Sequence, residues 1–250
     1  MRIDIEKVTN WVHTDKEKCG ASIIDGPWQC KHQTSLICHS VDFLVIDIPP
    51  GLRREISPSN EMTFVNKVKT LIPFIENSGI KKVIFVSSTS VYGDSFPIVE
   101  ITEETKPNPD TESGKQLVIA ETLLQSNSYF KTTVIRFGGL LGDDRHPIKF
   151  LAGKTNVENP DAPVNMIQRE DCIGIIEEIL KQVQSDNWEW NETFNAVAPQ
   201  HPTRKEYYHK KAEILNLPFP TFAENPKSIG KIISNKKVET VLGYSFQKEI

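Results

Sequence analysis

Short apolar segments that alternate with helical patterns constrain the fold of this chain more than any other feature of its sequence. Four segments are short, rich in β-branched or aromatic residues and closely followed by Pro, Ser or Gly; they span residues 42–48, 82–87, 132–137 and, more weakly, 192–197. Strands that are covered on both faces have this composition. Between the strands, apolar residues recur at helical spacing over residues 65–75, 117–124 and 173–183. The alternation predicts an α/β fold with a doubly wound, mostly parallel sheet.

Parallel strands joined by right-handed crossovers place their carboxyl ends along one edge, and ligands of such sheets bind there. Residues 7–13 and 21–25 are two further candidate strands, and Asp171 is predicted to cap the helix that follows it. After residue 198 the chain contains several prolines, and it shows one helical pattern near residues 205–215. We therefore expect a larger sheet domain and a small C-terminal lobe, formed respectively by residues 1–143 with 172–198 and by residues 144–171 with 199–250.

The composition excludes several classes of protein. Of the 250 residues, 38% are hydrophobic and 25% are charged, a balance that supports a packed core rather than disorder. The formal net charge of −4 gives no reason to expect a nucleic-acid or membrane surface as partner. The N-terminus lacks an apolar signal segment, no stretch is apolar enough to cross a membrane, and four cysteines make no disulfide framework. We expect a cytoplasmic protein with reduced thiols and a small-molecule partner.

Hydroxyl-bearing residues cluster where the second predicted strand ends. Residues 86–94 read VSSTSVYGD, so Ser87, Ser88 and Thr89 lie at the strand end and Tyr92 begins the turn. A hydroxyl at such a position can donate to a substrate carbonyl or accept from a substrate alcohol. The alternative is that these side chains only satisfy backbone groups of the loop.

This string resembles the strand-five signature of the extended short-chain dehydrogenase/reductase family, in which a Ser is followed four residues later by Tyr-Gly. The family includes NAD(P)-dependent sugar-nucleotide epimerases and dehydratases. Further pieces fit in order: the acidic, proline-bearing loop 103–109, Ala120-Glu121 on the following helix, and the segments 136–143, 164–171, 194–197, 202–206 and 242–244. The match runs from about residue 7 to residue 248, and its specificity comes from the order of many individually weak pieces.

The resemblance implies a Rossmann-like nucleotide-binding domain, NAD or NADP as cofactor, and a nucleotide-sugar or small carbonyl substrate held by the C-terminal lobe. It implies catalytic roles for Ser88 and Ser113. The cofactor-binding residues that it implies are His13, Thr14, Asp25, Pro49, Pro50 and Ser87. The substrate-contacting residues that it implies are Thr89, Tyr92, Arg136, Gly138 and Arg145. A homodimer is left open.

The sequence departs from the family pattern at the catalytic helix. Family members carry a Tyr that donates or accepts the proton and, four residues later, a Lys that lowers the pKa of this Tyr and holds the nicotinamide ribose. Alignment on Glu121 puts Ser113 at the Tyr position and Leu117 at the Lys position. Lys115 lies about 200° around the helix from Leu117 and cannot simply replace the missing Lys. We therefore expect impaired or altered chemistry.

The glycine-rich dinucleotide fingerprint is also missing, because the first fifty residues contain only Gly20 and Gly26. Residues 11–15 instead resemble the end of the family's second strand. We expect a chain that starts after the first strand and helix of the fold, or residues 1–40 that pack in a new way. The cluster Gly138-Gly139-x-x-Gly142 is followed by two aspartates and is predicted to form a turn rather than a phosphate loop.

Two function classes therefore stay open. The first is an NAD(P)-dependent oxidoreductase of epimerase, dehydratase or reductase type, and the second is a non-catalytic ligand-binding protein or a remnant of the family. A soft-ligand cluster formed by His13, Cys19, Cys30, His32, Cys38 and His39 lacks the close pairs of a zinc site. We expect no metal there, with a zinc-stabilised N-terminal module as the alternative.

Overall fold

A computed structural model describes residues 21–24, 43–51, 62–142, 146–183, 191–224 and 227–250. The strands in this part of the chain are β1 (Ala21–Ile24), β2 (Phe43–Ile46), β3 (Lys82–Ser88), β4 (Glu100–Ile101), β5 (Lys131–Phe137), β6 (Gly139–Leu141), β7 (Met166–Gln168), β8 (Thr193–Ala196) and β9 (Ile232–Ile233). The helices are α1 (Thr63–Ser78), α2 (Glu112–Gln125), α3 (Arg169–Val183), α4 (Arg204–Ile214) and α5 (Lys236–Thr240). None of these helices has the length and apolar character that crossing a membrane requires.

The described main sheet has five strands in the order β1-β2-β3-β5-β8, and every neighbouring pair is parallel. Its register places Ser88 beside Phe137 and Phe137 beside Ala196, so the carboxyl ends of β3, β5 and β8 meet at one edge. This confirms the α/β fold with a doubly wound, Rossmann-like parallel sheet. The predicted strand at 21–25 is β1, which pairs with β2, whereas the one at 7–13 lies outside the described residues.

Helices cover both faces of this sheet, and the strands therefore carry apolar side chains in both directions. On β3, Val83 and Phe85 pack with α1 and α2, while Ile84 between them packs with α3 on the other face. Successive side chains of a strand point to opposite faces, so a strand between two helical layers reads as a continuous apolar run. The same alternation holds on β2, where Leu44 and Val45 belong to opposite clusters.

Asp171 does not cap a helix, contrary to the sequence prediction, because α3 already begins at Arg169. The Asp171 side chain is fully buried, and its Oδ1 accepts hydrogen bonds from Tyr244 Oη at 2.9 Å and from the Gln247 backbone N at 2.8 Å. Its carboxylate therefore fastens the C-terminal segment to the first turn of α3, where the helix dipole also favours a negative charge.

The prediction of a turn at the glycine cluster is also wrong in part, because Gly139–Leu141 form β6, which pairs in parallel with β7. Gly138, directly before this strand, is buried against the backbone of Asn165 and the side chain of Val197. A Cβ at Gly138 would lie 2.7 Å from Asn165 O and 2.8 Å from Val197 Cγ1. The chain therefore needs glycine at this point for close approach of two backbone segments.

We expect Gly138→Ala to lower the free energy of unfolding by about 1–3 kcal/mol, because its Cβ would collide with a backbone oxygen that a rotamer change does not move. Gly139→Ala is the matched control, since its Cβ would meet its nearest atom, Met166 Cγ, only at 3.4 Å. Urea unfolding of both variants and the wild type checks this. Equal losses in the two variants would contradict the steric explanation.

Helix α4 is the main helix of the C-terminal part and begins at a capping box. Thr203 Oγ1 accepts from Glu206 N at 3.2 Å, and Glu206 Oε2 accepts from Thr203 N at 2.9 Å. Its buried Tyr207 packs with Ile148 in a third apolar cluster and contacts His146, with 3.1 Å between Tyr207 Oη and His146 Nε2. The two-unit division expected from the sequence stays a prediction.

His146 makes the stability of this region pH-dependent. Burial lowers the pKa of His146 below its ordinary value of 6.5, and the charges of Lys211 and Lys149 lower it further. Its Nδ1 accepts from Ile148 N at 3.3 Å, a bond that protonation removes. Because the unfolded chain binds this proton more readily, the stabilisation is complete above the ordinary pKa and is lost as the pH falls below it.

We therefore expect the free energy of unfolding to fall between pH 7.5 and pH 5.5. In His146→Asn, which keeps an acceptor but does not titrate, this pH dependence should be weaker. Urea unfolding at a series of pH values measures the free energy of unfolding. If it changed equally with pH in the variant and the wild type, His146 would not be the cause of the pH dependence.

Candidate functional site

The candidate site lies at the carboxyl end of β3, where the strand passes into a short 3-10 turn, Thr89–Val91. Ser88 is half-buried, and its Oγ accepts a hydrogen bond from Ser90 N at 3.2 Å. The hydroxyl therefore caps the turn with a lone pair. Within the described residues no acceptor takes its proton, so the O–H can still donate to an oxygen atom of a ligand.

The first turn of α2 packs directly onto this 3-10 turn. Thr111 caps the helix by accepting from Gly114 N at 3.1 Å. Gly114 permits the contact, because a Cβ there would lie 2.3 Å from Ser90 O. Ser113, half-buried in this first turn, is thus carried on the segment that packs beside Ser88. We call Ser88, the 3-10 turn Thr89–Val91 and the first turn of α2 the Ser88 corner. The structure brings together the two segments whose serines were predicted to be catalytic.

The positions that resemble the family's proton-transfer pair hold no phenol and no ammonium group. Leu117 is only 3% exposed and packs in the same apolar cluster as Ile48 and Phe64. Lys115 points from the exposed side of α2. An apolar side chain inside the core cannot hydrogen-bond a ribose. The described residues of α2 therefore do not fit the nicotinamide half of an NAD(P) cofactor.

Behind the corner lies a buried polar network, formed by Ser87, Tyr92, Glu121, Arg136 and Asn195. Arg136 Nε donates to Glu121 Oε1 at 3.1 Å and its Nη2 donates to Glu121 Oε2 at 2.6 Å, while Nη1 donates to Tyr92 Oη. Ser87 Oγ donates to Glu121 Oε1 at 2.6 Å, and Tyr92 Oη is 3.1 Å from its acceptor, Asn195 Oδ1. The network ties α2, β3, β5 and β8 together.

The charge states in this network follow from its burial and pairing. Burial raises the pKa of Tyr92, and the opposing effect of the Arg136 charge does not cancel this. Burial by itself would lower the pKa of Arg136, but hydrogen bonding to Glu121 and the charge of this carboxylate raise it above its ordinary value. The phenol of Tyr92 is thus neutral at neutral pH and lies beside the buried Arg136–Glu121 ion pair at the sheet edge.

The remaining predicted site residues are distributed as follows. Thr89 and Gly138 are buried beside the edge, and Ser87, Tyr92 and Arg136 belong to the buried polar network. After β2, Pro49 is exposed and Pro50 is half-buried. His13, Thr14, Asp25 and Arg145 lie outside the described residues, as does the whole predicted Cys/His cluster. In the part of the chain that is described, no group of three or more side chains is arranged to hold a metal ion.

A cleft of about 190 Å³ opens between Asp94, in the loop that follows β3, and the C-terminal part of the chain. We call it the lobe cleft; its lining includes Asp94, Val164, Met166, Arg204, Tyr208 and Lys231. Lys231 Nζ donates to Asp94 Oδ1 at 2.9 Å and to the backbone O of Tyr92 at 2.7 Å. The sequence analysis missed Arg204 and Lys231 as site residues, because nothing in their local pattern separates them from surface cations.

The sequence analysis also missed the role of Glu121, although a signal for it exists. Glu121 occupies the face of α2 that carries the buried residues Leu117, Ala120 and Leu124. A carboxylate at such a position has to find a buried partner, because an unpaired buried charge is costly. Arg136, in the middle of an apolar strand pattern, is the matching exception on β5.

We expect Glu121→Gln to lower the free energy of unfolding by about 3–5 kcal/mol, because it leaves the buried Arg136 charge unpaired. Glu178→Gln, at the exposed Lys181 pair, is the control and should change it by less than about 1 kcal/mol. The double variant Glu121→Leu with Arg136→Met should be more stable than Glu121→Gln, since neither charge remains. Thermal and urea unfolding measure all three, and wild-type stability of Glu121→Gln would contradict the expectation.

Comparison with known proteins identifies the family. Protein YeeZ of Escherichia coli K12 is 34% identical over 224 residues, which cover 86% of this chain and 77% of YeeZ. No protein-family profile matches the sequence. The chain belongs to the same family as YeeZ.

Solved structures agree in fold at low sequence identity. A short-chain dehydrogenase/reductase superfamily protein from Agrobacterium tumefaciens with bound NAD has a TM-score of 0.74 at 16% identity, covering 100% of this chain and 90% of that one. MoeE5 in complex with UDP-glucuronic acid and NAD has a TM-score of 0.73 at 15% identity, covering 99% and 91%. The UDP-N-acetylglucosamine 4-epimerase of Bacillus cereus has a TM-score of 0.69 at 14% identity, covering 99% and 90%.

Proposed function

We propose that this protein binds a nucleotide-linked sugar or a small carbonyl compound between the Ser88 corner and the lobe cleft, and that it does not transfer hydride by the tyrosine–lysine route. The burial of Leu117 in the apolar core is the observation that argues against hydride transfer by the tyrosine–lysine route. Ligand binding is supported by the cleft at Asp94, in the loop that follows β3, because ligands of such folds bind where the strands end. It is also supported by the UDP-sugar ligands of MoeE5, which shares the fold.

The residues at the corner suit binding and orientation. The free O–H of Ser88 can donate to a carbonyl or hydroxyl oxygen of the ligand, and Ser113 adds a second hydroxyl from α2. The elements that carry these two serines are held in position. Gly114 allows α2 to pack on the 3-10 turn, and the buried polar network connects the strand ends behind it. A serine hydroxyl ionises at too high a pH to replace a tyrosine whose pKa is lowered for proton transfer.

The second candidate is an NAD(P)-dependent epimerase, dehydratase or reductase. It is favoured by the NAD that the structures of MoeE5 and of the Agrobacterium tumefaciens protein contain. In that case the cofactor would be bound by Pro49, Pro50, Ser87, His13, Thr14 and Asp25. The substrate would be bound or supported by Thr89, Tyr92, Arg136, Gly138 and Arg145. These assignments stay predictions, and so does a homodimer.

Titration separates the two candidates. We expect UDP-glucose to bind with a saturable calorimetric signal, and we expect neither saturable NADH fluorescence nor conversion of UDP-glucose to an epimer or a dehydrated sugar when NAD is present. Saturable NADH fluorescence together with turnover would establish the second candidate instead. No binding of UDP-glucose or of a small carbonyl compound would remove the proposed ligand class.

Ser88→Ala tests the role of the corner. We expect it to weaken UDP-glucose binding roughly 2- to 12-fold, the effect of losing one hydrogen bond. Ser126→Ala, at the exposed opposite end of α2, is the control and should bind like the wild type. Calorimetric titration of both variants measures the difference, and unchanged affinity in Ser88→Ala would show that this hydroxyl does not contact the ligand.

A further inference from the structure

Two large apolar side chains are exposed beside the lobe cleft. Phe96, in the loop that follows β3, is 60% exposed, and Ile229 is 46% exposed although it also lines the cleft. Pro97, next to Phe96, is exposed as well. Single exposed apolar residues are common on protein surfaces, but a group of them beside a cleft indicates a surface that binds something. We call Phe96, Pro97 and Ile229 the apolar rim.

The backbone places Phe96 and Ile229 side by side. Ser95 and Gly230 form an antiparallel bridge, in which Ser95 N donates to Gly230 O at 3.0 Å and Gly230 N donates to Ser95 O at 3.1 Å. The next residues along the two segments, Phe96 and Ile229, therefore lie opposite each other, with their side chains on one face of the two-stranded ribbon. Because both side chains are exposed, they form one apolar surface that solvent reaches.

The same face of this ribbon carries polar side chains that line the cleft. Side chains alternate along an extended segment, so Asp94 shares the face of Phe96 and Lys231 shares the face of Ile229. Lys231 Nζ donates to Asp94 Oδ1 at 2.9 Å, and both residues line the lobe cleft. The apolar rim is therefore adjacent to a polar part of the cleft, and a molecule bound in the cleft can extend over the rim.

The opposite face of the ribbon is packed against the protein, which holds the rim in place. Gly230 is buried, and a Cβ there would lie 3.2 Å from both Ala162 Cβ and Pro163 Cδ. Ser228 is also buried, and its Oγ accepts a hydrogen bond from Asp161 N at 3.1 Å. The exposed side chains of the rim are therefore carried on a backbone that is fixed from behind.

We propose that the apolar rim binds an apolar substituent of the ligand, an alkyl, acyl or aryl group, while the polar part of the same ligand lies in the lobe cleft. The inference rests on the proposed function, because it concerns the same ligand. Contact with the rim is favourable because it removes apolar surface of both partners from water. A protein partner fits less well, since a specific protein interface takes about 20–30 residues on each side, whereas the rim has three side chains beside the charged Asp94 and Lys231.

Alkyl glucosides of increasing length test the rim. The probes are methyl, butyl and hexyl β-glucoside, titrated into the full chain by calorimetry, each below the concentration at which it forms micelles. We expect the affinity to rise roughly 2-fold for each added methylene, which is less than complete burial would give, because the rim covers one side of the alkyl chain. Equal affinity for the three glucosides, or no binding of hexyl β-glucoside, would overturn the proposal.

Variants then locate the effect. Phe96→Ala should lower the ratio of hexyl to methyl glucoside affinity roughly 3- to 10-fold, because the ring supplies much of the apolar surface of the rim. Phe96→Leu keeps an apolar side chain and should lower this ratio less. Phe150→Ala removes a phenylalanine that is 63% exposed and lies outside the described cleft lining, and it should keep the wild-type ratio. Thermal unfolding verifies that each variant is folded, and an unchanged ratio in folded Phe96→Ala would contradict the assignment of the rim.

Titration of UDP-glucose separates this inference from the proposed function. If UDP-glucose binds but the affinity for the glucosides does not depend on alkyl length, the apolar rim is wrong as a binding site while ligand binding by the protein stands. If hexyl β-glucoside binds in a Phe96-dependent way but UDP-glucose does not bind, the apolar rim stands and the nucleotide-linked ligand class falls.

Discussion

The ion pair between Glu121 and Arg136 is the interaction on which the edge of the sheet depends. Both side chains are almost fully buried, and the pair joins a helix to the central part of the sheet. Burial of two charges costs desolvation free energy, so such a pair contributes less to net stability than its short distances suggest. Its effect is on geometry: Ser87 and Tyr92 take their positions from this carboxylate and this guanidinium. The corner that carries Ser88 is built on that frame.

The sequence predicted the strands of the main sheet well, for a physical reason. Strands between two layers of helices are apolar on both faces, and this leaves a signal in a few consecutive residues, as in β2 and β3. The signal is local, and the helices α1, α2, α3 and α4 were found from equally local periodicity. Asp171 was misassigned because its role is non-local: its partners, Tyr244 and Gln247, lie more than seventy positions further along the chain.

The candidate site was predictable to a smaller extent. A serine-rich strand end can be read from the sequence, and the resemblance to the family supplied Ser113 and Leu117. The lobe cleft could not be found in this way, because Asp94, Arg204 and Lys231 come from three distant segments. Likewise, the glycine cluster at 138–142 resembles a turn when its sequence is considered alone. Only the structure shows that Gly138 is needed because the backbone of Asn165 packs against it.

Asn165 joins the parts that surround the lobe cleft. Its backbone O accepts from Gly139 N at 2.8 Å, its Nδ2 donates to Lys231 O at 2.8 Å, and its Oδ1 accepts from Ile233 N at 2.8 Å. The spacing between the sheet edge and the Lys231 segment is thus set by one short side chain, whose amide bonds two main-chain groups of that segment, and by the main-chain bond to Gly139. Because the walls of the cleft are joined in this manner, we expect its volume of about 190 Å³ to limit the size of the group that can enter it.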